Sequence, residues 1–242
     1  MCTVTIIKEK SDSFGIKLRH ETIGPELSMV NDFVDTLSRK YKKIGGISRI
    51  AIILEPLIDS CYPDIVVLRY TTTFMRYWRD SRRFLSANDL KVLSYLLSRP
   101  STHEELIKKL GFSTKEISKS TSKLLEGGVI HKRRETLYPL RRDLLLGLKS
   151  VDSYEAKVQS ITSVHRQALY NTRFTCSSYA IVKSACPSKH TEQMFKQTGL
   201  GLLADGGNMK VVDAQIRRLP NNHVTLMFNE WIARCLAEEE SF

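Results

Sequence analysis

The chain has 242 residues, 42% hydrophobic and 26% charged, with 37 Lys+Arg against 26 Asp+Glu and a net charge of +11. That suits one large or two small domains with hydrophobic cores. No apolar run reaches membrane-spanning length, and Met1-Cys2-Thr3-Val4 does not begin a signal peptide. The five cysteines lack a CxxC pair, which argues against a disulfide framework or a zinc site. The six histidines are equally dispersed. A cytoplasmic, reduced protein with no membrane partner is the expectation.

The charge is uneven. Residues 82–150 carry 15 Lys+Arg against 7 Asp+Glu, whereas residues 1–81 carry 12 against 10 and residues 151–242 carry 10 against 9. A concentrated basic segment reads as a phosphate-binding surface, with nucleic acid its leading partner.

In chain order, Cys2–Ile7 is β-branched and reads as an edge strand. Gly24-Pro25 opens a helix in which Leu27, Val30, Phe33, Val34, Leu37 and Tyr41 recur at helical spacing, ended by Gly45-Gly46. Glu26 falls in its first turn, where the positive end of the helix dipole favours an acid. Ile47–Leu54 reads as a buried strand, and Pro63-Asp64 leads through a turn into a second strand over Ile65–Tyr70. Position makes Asp64 either a turn former or a ligand held on a rigid element. Thr71–Arg82 is a polar crossover whose Trp78 is expected at a domain junction.

Residues 84–139 change character. Ser86 caps one helix, Ser101 or Thr102 the next, and Ser113-Thr114-Lys115-Glu116 forms a capping box that opens a third. Lys115, Lys119, Ser120, Ser122 and Lys123 fall on that helix's outer face. Gly127-Gly128 stops it, and Val129–Pro139 reads as a hairpin with Lys132, Arg133 and Arg134 at its tip. Three short helices and a basic hairpin resemble a winged helix-turn-helix domain. The resemblance implies that residues 113–126 enter a major groove and that the hairpin's basic residues touch phosphate or the minor groove. Lys115, Lys119, Ser120, Lys123, Lys132, Arg133 and Arg134 are the implied DNA contacts.

Beyond this module, residues 151–158 alternate as a strand, so Val151, Ser153, Glu155 and Lys157 share one face and Asp152, Tyr154, Ala156 and Val158 the other. Residues 162–174 read as a helix, 178–183 as a strand and 191–198 as a helix. Residues 199–204 and 209–212 form a strand pair joined by Asp205-Gly206-Gly207-Asn208, and 220–239 form a closing amphipathic helix.

With the middle module removed, the order becomes helix, strand, strand with Pro63-Asp64, strand with Glu155-Ala156-Lys157, helix, strand. This resembles the PD-(D/E)XK nuclease superfamily, and the insertion accounts for the long interval between the two half-motifs. The resemblance implies an α/β fold: a restriction endonuclease-like mixed sheet flanked by helices, with an inserted winged-helix domain. Residues 1–81 and 150–242 would form the core and residues 82–149 the insertion. It further implies a metal-dependent DNA endonuclease. Asp64 and Glu155 would hold Mg²⁺, with Mn²⁺ able to substitute and the Ala156 carbonyl a third ligand. Lys157 would orient or help deprotonate the water and stabilise developing charge. Glu26 would be an outer ligand and Gln167 a positioning group. Double-stranded or branched DNA and a second copy of the chain, as a homodimer, are the implied partners. The competing reading is a non-catalytic winged-helix transcription regulator with flanking dimerisation regions, in which Glu155 and Lys157 form a surface ion pair.

Overall fold

The structure, a computed structural model, describes residues 3–8, 17–19, 24–43 and 48–239. Cys2, the Gly45-Gly46 helix stop, Ile47 and Glu240 lie outside the described residues. The chain divides into two compact units, one of residues 1–70 and 149–220, the other of residues 71–148 and 221–242.

The first unit is α/β. Among its described residues are β1 (Val4–Ile7), α1 (Pro25–Lys42), β2 (Arg49–Leu54) and β3 (Ile65–Tyr70). The second unit follows with α2 (Ala87–Ser98), β4 (Ser101–Thr102), α3 (His103–Leu110), α4 (Thr114–Glu126), β5 (Ile130–Arg133), β6 (Thr136–Pro139) and α5 (Arg142–Leu145). The chain then returns through β7 (Leu148–Lys157), α6 (Ile161–Asn171), β8 (Ser177–Val182), α7 (Lys189–Thr198), β9 (Gly201–Ala204) and β10 (Met209–Val212). It ends in α8 (His223–Glu239) of the second unit.

The described strands of the first unit make a seven-stranded mixed sheet in the order β1-β2-β3-β7-β8-β9-β10. β2 and β3 are antiparallel, as are β9 and β10; β1 with β2, β7 with β8, and β8 with β9 are parallel. The alternation read along residues 151–158 decides what each face of β7 meets. Tyr154 and Ala156 are buried with the apolar stripe of α1, including Val30, Phe33, Val34 and Leu37. On the opposite face Ser153 Oγ donates to Ser178 Oγ, which donates to the Ala168 carbonyl of α6. A second cluster there joins Val164 and Ala168 of α6, Phe195 of α7, and Ala180, Val182, Leu202 and Ala204 of the sheet. The unit is therefore helix, sheet, helices, with β7 at the centre.

In the second unit α2, α3 and α4 begin where the capping residues place them. Ser86, Thr102 and Ser113 each accept from the backbone three residues on, and Asp89, Glu105 and Glu116 reciprocate. Gly111, in the left-handed region at φ 68°, ends α3, where a side chain on Cβ would be strained. The β5–β6 hairpin turns at Arg134, also left-handed at φ 53°, and β4 joins it in the order β4-β6-β5.

Two expectations change. The closing helix belongs to the second unit, not to the sheet-bearing core: Leu226 packs with Leu90, Leu93 and Leu96 of α2, and Asn221 Nδ2 donates to Ser98 Oγ. The boundary also moves back from residue 81 to residue 70, because residues 73–84 form two short 3-10 turns whose side chains reach α8 and α4. Within these turns Trp78 Nε1 donates to Glu230 Oε2 at 3.1 Å, inside the second unit. Arg82 forms a buried ion pair with the same carboxylate. An apolar stripe predicts that a helix packs, but not which of two cores takes it.

Candidate active site

β3 and β7 are neighbours in the sheet, and this brings Asp64, Glu155, Ala156 and Lys157 together from distant parts of the chain. Asp64 immediately precedes β3. Its Oδ2 accepts the Ala156 amide N–H at 2.7 Å, which ties the mouth of β3 to the C-terminal end of β7. Ala156 thus meets Asp64 through its N–H, and its side chain is buried against α1.

Glu155 is 3% exposed. Asn171, at the end of α6, donates from Nδ2 to Glu155 Oε1 at 2.6 Å, while Glu155 Oε2 is buried without a hydrogen-bond partner. Burial, followed by the Asp64 charge, pushes the Glu155 carboxyl well above the usual carboxylate range. Asp64 is likewise pushed up to about 6, mainly by burial; the Ala156 N–H and Lys157 oppose the rise. Two acids that each resist ionisation, one with an orphaned oxygen, form a site that a cation would relieve.

Lys157 does not pair with Glu155 as a surface ion pair. Its Nζ donates to Glu26 Oε2 at 2.7 Å, joining β7 to the first turn of α1. Burial lowers the Lys157 pKa, but the Glu26 hydrogen bond and the charges of Asp64, Glu26 and Glu155 hold it above the ordinary value. Glu26 is thereby placed on the lysine. Gln167 lies one helical turn before Asn171 on α6; its Oε1 is buried without a partner, and no hydrogen bond links it to the carboxylates.

Two residues of the site were not singled out from the sequence. Asn171 is fully buried and orients Glu155. Its spacing from Gln167, four residues on one helix, is the signal that could have found it. Glu55 opens the loop that Asp64 closes: its N–H donates to the Asp64 carbonyl at 3.0 Å. Glu55 sits at φ 45°, its Oε2 is buried without a hydrogen bond, and its charge acts on both Asp64 and Glu155. A non-glycine residue in the left-handed region beside paired acids marks a strained position, but the one-dimensional pattern carried no sign of it.

Among the described residues no group of three or more His, Cys, Asp and Glu side chains is arranged to hold a metal ion. Asp64 and Glu155 are the two carboxylates that could hold a hard cation here. Mg²⁺ commonly takes one or two carboxylates and completes its shell with water and substrate phosphate.

In the second unit Lys115 and Lys119 are exposed on α4, and Lys132, Arg133 and Arg134 on the hairpin. His131 stacks on Tyr138, and the Arg133 guanidinium lies 5.9 Å from the same ring. Two expected contacts are engaged within the unit instead. Ser120 is 5% exposed and donates to buried Asp89 at 2.5 Å. Lys123 Nζ donates to the Phe84 carbonyl at 3.0 Å and lies 3.5 Å from Asp89. Asp89, the α2 capping acid, needs compensation for its burial, and α4 supplies it. No protein-family model matches the chain, and no curated protein or solved structure matches it either. Among the described residues no helix is long and apolar enough to cross a membrane.

Proposed function

We propose that the protein is a metal-dependent DNA endonuclease of the PD-(D/E)XK type, with the restriction endonuclease-like core in the first unit and a winged-helix DNA-binding module in the second. The observation that carries this reading is the pairing of Asp64, at the mouth of β3, with Glu155 of neighbouring β7, both resisting ionisation, with Glu155 Oε2 unpartnered. Asp64 and Glu155 would hold Mg²⁺ or Mn²⁺. Such an ion, when bound, lowers the pKa of its water and neutralises charge on the phosphate. Asn171 fixes the rotamer of Glu155 so that one oxygen stays available. Lys157, held protonated by Glu26, serves as a fixed positive charge for the pentavalent phosphorus centre, not as a base. Glu26 positions that ammonium. Exposed Lys115, Lys119, Lys132, Arg133 and Arg134 supply duplex contacts. Cutting both strands requires two such sites, which a homodimer provides.

The test is incubation of the purified protein with supercoiled plasmid and with branched DNA, in Mg²⁺ or in chelator. Wild-type protein is expected to nick in Mg²⁺ only, and Asp64→Ala and Lys157→Ala to lose nicking. Cleavage that persists in both variants overturns the site. Retained DNA binding without cleavage of any substrate favours the regulator.

A further inference from the structure

One loop, residues 55–64, carries both Glu55 and Asp64, and Arg19 lies against it. Residues 17–19 lie along its start: Arg19 N–H donates to the Glu55 carbonyl and Leu57 N–H to the Lys17 carbonyl. The Arg19 guanidinium lies 3.9 Å from the Glu55 carboxylate and 5.9 Å from the centre of the Tyr62 ring. Tyr62 is 38% exposed and only two residues before Asp64. Arg173 stacks 4.5 Å above Tyr170, in the turn that follows Asn171. The loop is held in shape by the reciprocal Ile58–Cys61 backbone hydrogen bonds and by left-handed Asp59.

One tyrosine–arginine pair, Tyr62 with Arg19, thus lies two residues before Asp64, and a second, Tyr170 with Arg173, brackets Asn171, the hydrogen-bond partner of Glu155. An exposed tyrosine ring offers any base a face to stack on, and an arginine beside it offers a phosphate partner. A continuous duplex keeps its bases stacked on one another and presents only its backbone to such a surface; an unpaired nucleotide presents its base. We propose that Tyr62, with Arg19 and Arg173, forms a subsite for an unpaired nucleotide adjoining the scissile phosphate, so that the site prefers single-stranded or branched nucleic acid to continuous duplex. This rests on the nuclease reading and names its substrate class.

The test is binding in chelator, with no cleavage, of DNA oligonucleotides carrying 2-aminopurine in a short unpaired flap or in a fully paired duplex. Wild-type protein is expected to bind the flap probe more tightly and to quench its fluorescence. Tyr62→Ala should weaken flap binding by about tenfold, the scale of one base stacked on an aromatic ring, and abolish quenching. It should leave the paired probe within about twofold, since no stacked base is lost there. Tyr62→Trp should retain quenching, and Arg173→Ala should flatten the salt dependence of flap binding. Thermal melting confirms that each variant is folded; should Tyr62→Ala not fold, loss of the flap preference in Arg173→Ala decides the matter. Equal affinity of wild-type protein for the two probes, or quenching unchanged in Tyr62→Ala, overturns the subsite and leaves the cleavage reading standing. Failure to bind either probe overturns both.

Discussion

Each unit buries a glutamate, and the two are treated differently. Glu230, 1% exposed on α8, accepts from Trp78 Nε1, from the Arg82 guanidinium and from Asn229 Nδ2. Its charge is matched, and it fastens α8 to the 3-10 turns of residues 73–84. Glu155, 3% exposed on β7, has one amide donor, an unpartnered oxygen and a second carboxyl as neighbour. A buried charge with its partners in place holds a fold; one left short of partners costs stability and is kept where something outside the chain completes it. The difference sets a structural acid apart from the one placed in the proposed metal site, without reference to sequence motifs.

Substitution of each glutamate in turn breaks the comparison most sharply. Glu155→Gln should lower Mg²⁺-dependent cleavage by about 10³-fold, as expected when charge stabilisation at a reacting phosphate is removed. The same variant should melt no lower than wild type at pH 7, because a neutral amide carries no ionisation penalty at this buried position and can still accept from Asn171. Glu230→Ala should do the reverse, costing about 3–5 kcal/mol in chemical denaturation because buried Arg82 loses its counter-ion. An unchanged denaturation midpoint in Glu230→Ala would erase the distinction.

Smaller in magnitude is the pH dependence. Folded Asp64 releases its proton near pH 6, above the 3.8 of an unfolded chain. Folding therefore meets no penalty from this group below about pH 4. It loses stability as pH climbs to about 6, by on the order of 1–3 kcal/mol in all. Asp64→Asn should flatten that fall, measured as melting temperature from pH 4 to pH 8 without divalent ions. In wild-type protein, Mg²⁺ should restore the loss above pH 6 and have little effect below pH 5, where the carboxyl is protonated. The mildest effect belongs to the second unit. Neutralising Lys132, Arg133 and Arg134 one at a time should each reduce the slope of log affinity against log salt by about 1. Lys123→Ala should change that slope least, since Lys123 is tied to the Phe84 carbonyl.

Local signals were legible in the sequence because local physics decides them. Ser86, Thr102 and Ser113 begin helices through bonds that span three residues. The alternation along residues 151–158 set which side chains of β7 face α1, since a strand's side chains change face at every residue. The order of Asp64, Glu155 and Lys157 was likewise visible, and the structure brings these residues into one place. Tertiary structure alone decided the rest. Which core received α8 depended on whether Glu230 met Arg82, a contact 148 residues apart in the chain. Ser120 and Lys123 were engaged within the unit because buried Asp89, on another helix, required donors. Glu26 became the partner of Lys157, and Asn171 the partner of Glu155, because the sheet brought their elements within hydrogen-bond reach. A helix or strand is written in neighbouring residues; the partner of a buried charge is chosen by packing, and no pattern along the chain records that choice.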